Sequence, residues 1–106
     1  MGKESMEYEI RQPGQKAKGI ITQIKTQKAS EIYKAAAKNP DQLLLVVSAK
    51  TDGWTGRVAT FNKPASKLIS PSAKLAKFIQ KYKRPPETGM PIDLQADSKG
   101  FWTIVM

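Results

Sequence analysis

The segment LLLVVSAKTDGWTGRVATF, residues 43–61, is the element around which the predicted fold is organised. Two runs rich in β-branched and aromatic residues flank Asp52-Gly53, and this pattern is a strong signal for a β-hairpin. Aspartate tolerates a positive φ and glycine adopts one without steric cost, so the chain can reverse at this point. A tightly closed hairpin predicts the cross-strand pairs Ala49–Gly56, Ser48–Arg57 and Leu44–Phe61.

Cross-strand partners share one face of a hairpin, so this register sorts the side chains into two sets. The predicted core face carries Leu43, Leu45, Val47, Ala49, Trp54, Gly56, Val58 and Thr60. The predicted outer face carries Leu44, Val46, Ser48, Lys50, Thr55, Arg57, Ala59 and Phe61. The outer face is apolar at one end and carries hydroxyls and cations near the turn. Such a face, with an aromatic ring beside cations, can hold a single-stranded nucleic acid.

The chain has 106 residues, which predicts one domain, and it contains neither cysteine nor histidine. Disulfides and thiolate zinc sites are therefore excluded, and the commonest general base and metal ligand is missing. The acids Glu87, Asp93 and Asp97 are separated by turns and strand alternation, so they form no predicted metal or acid–base cluster. We predict a protein that is not an enzyme and that uses no cofactor and no metal.

No apolar run is long enough to span a bilayer, and no signal peptide opens the chain. These features predict a cytoplasmic protein with no membrane partner.

The net charge is +9, and its distribution along the chain is uneven. Residues 16–38 hold six lysines against one acid, Glu31, and residues 64–86 hold five lysines and one arginine with no acid. A segregated basic field of this kind favours a polyanion as partner. The alternative is a lysine-rich surface that serves solubility or thermal stability.

Local patterns predict the elements that precede the hairpin. Residues 1–15 are polar and predict a flexible segment with a short strand near Tyr8. Residues 16–26 predict a strand, and Gly19 predicts a bulge or bend within it. Residues 30–38 predict a short helix that ends at Asn39-Pro40.

A second helix is predicted after the hairpin, because Ser70-Pro71 combines a capping serine with proline at the first helical position. Its apolar stripe consists of Leu75, Phe78, Ile79 and Tyr82. Two short strands come next, and a four-residue loop between them pairs Ala96 with Phe101. That pairing places Phe101 in the core and turns Trp102 and Ile104 outward.

The order strand, strand, strand, helix, strand, strand resembles the OB-fold, a mainly β, five-stranded Greek-key barrel with a helix between strands 3 and 4. The resemblance covers residues 16–106 as a single domain and rests on the element order, the bend at Gly19, the hairpin and the helix. The short extra helix between strands 1 and 2 is a departure from it. The chain looks most like the single-stranded-DNA-binding members, in which bases stack on aromatics of the middle strands and a basic groove follows the backbone.

The resemblance implies a nucleic-acid-binding site on the hairpin. Its predicted residues are Lys25, Lys28, Lys50, Trp54, Thr55, Arg57 and Phe61. Arg57 is the strongest candidate, because Lys50 lies near it across the hairpin and the predicted register brings no carboxylate close. Core alternatives stay open for the rings: Phe61 can be covered by the segment after it, and Trp54 can shield a barrel end. For Tyr33, packing on the barrel is predicted rather than stacking on a base.

These observations predict binding of single-stranded DNA or RNA with little sequence preference. One alternative is a protein-interaction module or homodimer, whose assembly surface would consist of Leu44, Val46, Ala59 and Phe61. Another is a duplex-DNA chromatin protein that uses the lysines of its second helix.

Overall fold

A computed structural model describes residues 10–34 and 38–106, which form five antiparallel strands and two helices. In chain order these are β1 (Lys16–Lys28), α1 (Ala29–Tyr33), β2 (Leu43–Thr51), β3 (Trp54–Asn62), α2 (Lys74–Tyr82), β4 (Pro91–Ala96) and β5 (Trp102–Ile104). The strand order is β3-β2-β1-β4-β5, and β5 returns beside β3, so the sheet is a nearly closed barrel. The prediction of a mainly β, five-stranded architecture is confirmed, and the barrel is compatible with an OB-fold.

Two sequence predictions fall beyond this description. The short strand near Tyr8 lies outside the described residues, as does the part of the first predicted helix at residues 35–37. Within the described residues, neither helix is long and apolar enough to cross a membrane.

Strand β1 serves both halves of the barrel. Its first part pairs with β4 and its longer second part with β2, and the exchange falls at Ile20, with a β-bulge at Thr22. A Cβ at Gly19 would lie 2.6 Å from a methyl carbon of Leu94 and 3.1 Å from the carbonyl oxygen of Lys50. Gly19 therefore leaves the space that the Leu94 side chain and the Lys50 carbonyl occupy, and the bulge lies three residues beyond it.

The hairpin of β2 and β3 has the predicted register only near its turn. Ala49 pairs with Gly56 and Ser48 with Arg57, as predicted, but Val47 then pairs with Ala59. Val58 is the extra residue of a β-bulge, which shifts the remaining pairs by one position. The predicted Leu44–Phe61 pair is wrong, because Phe61 lies opposite Leu45 and is only 1% exposed.

Helix α2 closes the end of the barrel near Phe61. The ring of Phe78 meets that of Phe61 edge-on at 5.8 Å and that of Tyr82 at 4.6 Å. The predicted apolar stripe is confirmed, since Leu75 and Phe78 are buried and Ile79 and Tyr82 pack against the core. The hydroxyl of Tyr82 donates a hydrogen bond to the carbonyl oxygen of Val105, 2.8 Å away. This bond ties the helix to the end of β5.

The predicted start of this helix at Ser70-Pro71 is wrong. The N–H of Ala73 donates to the carbonyl oxygen of Ser70 at 3.0 Å, and the two serine hydroxyls at 70 and 72 lie 2.9 Å apart. These bonds form a separate turn, and the helix begins after it at Lys74.

The β4–β5 connection also differs from the prediction. The difference exchanges the core-facing and the solvent-facing residues after the turn. The carboxylate of Asp97 accepts hydrogen bonds from the N–H groups of Lys99 and Phe101, both at 2.9 Å, which lengthens the turn. Ala96 therefore pairs with Trp102 rather than with Phe101. Trp102 and Ile104 are buried in the core, whereas Phe101 is 63% exposed.

Candidate nucleic-acid interface

The outer face of β1, β2 and β3 brings together four of the predicted site residues. Three successive cross-strand rows read Ile20–Lys50–Thr55, Gln23–Ser48–Arg57 and Lys25–Val46–Thr60. Lys25, Lys50 and Arg57 are exposed, and none of them forms a salt bridge with a carboxylate of the described residues. We call this surface the hairpin face. It displays three cations among hydroxyl and amide side chains.

A groove runs beside the hairpin face along the open seam of the barrel. Strands β3 and β5 are neighbours, but no backbone hydrogen bond joins them in the part of the chain that the structure describes. The groove has a volume of about 590 Å³. Its lining includes Thr55, Arg57 and Thr60, which also belong to the hairpin face, and Thr103 of β5. The hairpin face and the groove are thus one continuous surface.

Two exposed aromatic rings line this groove. Tyr33, at the end of α1, is 48% exposed, and Phe101, at the end of the Asp97 turn, is 63% exposed. Lys74, at the start of α2, also lines it. The groove therefore has what a nucleic-acid site needs, namely flat apolar rings and nearby cations.

Sequence reasoning missed Phe101 and Lys74 and predicted packing for Tyr33. A signal for Phe101 existed, because aspartate commonly bonds to backbone N–H groups after it and so reshapes a turn. The site for Tyr33 and Lys74 had no local signal, since the seam exists only when β3 and β5 meet.

Phe61 does not contribute to this surface. The bulge at Val58 turns its ring into the core, so the predicted outer position of Phe61 is wrong and a base would find no free ring face. Lys28 is exposed at the end of β1, where strand alternation turns it away from the hairpin face. Its own N–H donates to the carboxylate of Glu31 at 2.9 Å, at the start of α1.

Trp54 shields the hairpin end of the barrel, one of the two roles that the sequence left open for it. A Cβ at Gly56 would lie 2.6 Å from the indole of Trp54, so the ring lies directly on this glycine. The guanidinium of Arg11 sits 4.5 Å from the ring centroid of Trp102 and 5.8 Å from that of Trp54. These cation–π contacts cover the barrel end, while Trp54 still lines one end of the groove.

The predicted apolar assembly surface is absent from the exterior. Leu44 and Val46 are buried despite their outward position in the register, and Ala59 and Phe61 belong to the core. A homodimer would therefore need another surface, and its existence stays a prediction.

The described carboxylates are scattered. No group of three or more Asp or Glu side chains within residues 10–34 and 38–106 is placed to hold a metal ion. In the groove, Asp97 accepts the two backbone N–H bonds that shape its turn. It is the one acid among the described residues that line the groove.

The comparisons leave the function to be argued from this surface alone. No family model, curated protein or solved structure matches the chain. The resemblance to an OB-fold therefore stands on the strand order and the barrel.

Proposed function

We propose that this protein binds single-stranded nucleic acid, with little sequence preference, along the groove and the hairpin face. One observation carries the proposal: Arg57, an exposed guanidinium without a salt bridge to a described acid, lines the same groove as the exposed rings of Tyr33 and Phe101. A flexible polyanion with flat bases satisfies both kinds of group at once.

The phosphates are neutralised by the cations of the hairpin face. Lys25, Lys50 and Arg57 stand in three successive rows, and rows on one face are about 7 Å apart along a strand. A single strand that crosses these rows releases counterions, so its affinity falls as the salt concentration rises. Lys74, at the start of α2, adds a fourth cation to the lining of the groove.

The bases stack on Tyr33 and Phe101. Each stacked base contributes roughly 1–3 kcal/mol, and stacking tolerates all four bases because each has a π-face. Bases in a duplex already stack on one another, which favours a single strand as the ligand. The choice of DNA over RNA follows the resemblance alone, so both are proposed as ligands.

The test is a titration of labelled oligonucleotides, DNA and RNA, at several salt concentrations. We expect micromolar or tighter binding to single strands and weaker binding to a duplex of the same sequence. With about four phosphates neutralised, a plot of log Kd against log salt concentration should have a slope of about 0.7 per phosphate contact. No binding at low salt would contradict the proposal.

Two variants locate the site. Arg57→Ala should weaken binding more than Lys77→Ala, which removes the same charge from an exposed position of α2 outside the groove. Equal effects of the two variants would point to a diffuse basic field. A preference for duplex would favour the chromatin-type alternative, and a salt-insensitive oligomer that ignores nucleic acid would favour the interaction module.

A further inference from the structure

A second cationic cluster lies on the outer side of β1 and β4. Lys18 and Asp93 are cross-strand partners, and their side chains form a hydrogen-bonded salt bridge. The Nζ of Lys81, from α2, lies 3.9 Å from the other carboxylate oxygen of Asp93. Lys16 lines the same cavity, whose volume is about 430 Å³. We call Lys16, Lys18, Lys81 and Asp93 the Asp93 cluster.

The charges of this cluster do not cancel. Three ammonium groups surround one carboxylate, which leaves a local charge of +2 among these four side chains. The pKa of Asp93 lies below its usual value, chiefly because of the hydrogen bond from Lys18 and also because of the positive charges of all three lysines. The positive charge of the lysines thus exceeds the negative charge of the carboxylate, and an added anion would be attracted to this position.

The cluster is continuous with the hairpin face through Lys18. This lysine also lines a cavity of about 650 Å³ together with Lys50 and Thr55, the first row of the hairpin face. Lys50 lies opposite Ile20, and Lys18 is two residues from Ile20 along β1. Two residues of a strand span about 7 Å, the same step that separates the rows of the hairpin face. A line of cations therefore runs from Arg57 through Lys50 and Lys18 to Lys81.

We infer that the Asp93 cluster is a second phosphate-binding subsite, which takes the backbone of a nucleic acid strand that continues past the hairpin face. The inference rests on the proposed function and extends it from the hairpin face to the β1–β4 side of the barrel. A short strand fills the groove and the hairpin face alone, and a longer strand also reaches the cluster. We expect the cluster to contribute charge rather than stacking, because none of the described residues that line its cavity is aromatic and the ring of Tyr82 beside it packs on the core and lies 5.5 Å from the Nζ of Lys81.

The test compares short and long labelled oligonucleotides, of about 6 and about 16 nucleotides, within the range that one OB-type domain covers. Asp93→Asn removes the opposing carboxylate and should tighten binding of the long strand about threefold. One unit charge acting across about 6 Å of water changes an equilibrium by that factor. Binding of the short strand should stay unchanged. The matched control is Glu87→Gln, which makes the same change in net charge at the exposed Arg84 ion pair.

A second variant keeps the test independent of the Lys18–Asp93 ion pair. Lys81→Gln should lower the salt dependence of long-strand binding by about 0.7 in log–log slope, the share of one phosphate contact, and leave the short strand unaffected. Thermal unfolding of each variant shows whether it is folded.

The outcomes separate the two proposals. If the native protein binds neither oligonucleotide, the proposed function fails, and the subsite fails with it. If the short strand binds but Asp93→Asn affects both lengths equally, or no more than Glu87→Gln does, only the subsite is overturned.

Discussion

Phe61 and Phe101 carry the same side chain in opposite surroundings. Phe61 is 1% exposed and packs edge-on against Phe78 inside the barrel, whereas Phe101 is 63% exposed at the rim of the groove. The first ring stabilises the fold and has no face left for a ligand. The second is mostly exposed and remains accessible to a ligand. Exposure, more than residue type, therefore decides which aromatic residues of this barrel are candidates for binding.

The first prediction concerns stability. Phe61→Ala should lower the free energy of unfolding by about 3–5 kcal/mol, because it removes a buried ring and leaves a cavity beside Phe78. Phe101→Ala is the matched control and should change that free energy by less than about 0.5 kcal/mol. Chemical denaturation of both variants measures the difference. Equal losses would show that Phe101 is packed like Phe61 and would contradict the difference between the two rings.

The next prediction concerns binding, for which Phe101 rather than Phe61 is expected to matter. Phe101→Ala should weaken binding of a single strand by about 1–3 kcal/mol, the contribution of one stacked base. Leu68→Ala is the control, since Leu68 is 91% exposed and lies outside the groove. Fluorescence anisotropy with a labelled oligonucleotide gives both values. A change no greater than that of the control would remove Phe101 from the site.

Tyr82 tests the contribution of a packed aromatic residue at alkaline pH. Burial raises the pKa of Tyr82 above its usual value, and its hydroxyl donates to the carbonyl oxygen of Val105. A group with a raised pKa in the folded state stabilises the protein fully below its unfolded pKa, and this contribution is lost as the pH rises further. The wild type should therefore exceed Tyr82→Phe in stability by about 1 kcal/mol at neutral pH, and the gap should shrink above pH 10.

Urea denaturation at several pH values measures this gap, and Tyr33→Phe is the control at the rim of the groove. A gap that does not change with pH would contradict the raised pKa of Tyr82, and no gap at neutral pH would mean that its hydroxyl bond adds nothing.

The parts of the fold that local sequence encodes were predictable. Asp52-Gly53 marks the hairpin turn, and the apolar stripe of α2 identifies the side that packs on the barrel. The faces of the strands were less predictable, because one residue changes them. The bulge at Val58 and the longer turn at Asp97 each reverse the alternation of the residues after them, so Phe61 and Phe101 exchange the places expected for them.

The candidate site was predictable to the same extent. Lys50, Thr55 and Arg57 lie before the bulge, where simple alternation applies, and the structure places them together on the hairpin face. Tyr33, Lys74 and Phe101 come from three distant parts of the chain and meet only because the barrel stays open between β3 and β5. No local pattern can indicate such a meeting.

The bulge at Val58 has a consequence for which changes of the sequence would expose the core. If the bulge closed with Val58 kept in regular pairing, Val58 would lie opposite Val47, and the core-facing and solvent-facing residues would be exchanged over the last part of β3, since side chains alternate along a strand. Phe61 would then point to the solvent. Deletion of Val58 would instead leave Ala59 opposite Val47 and Phe61 opposite Leu45, so the loss of this one codon would keep the ring inside the barrel.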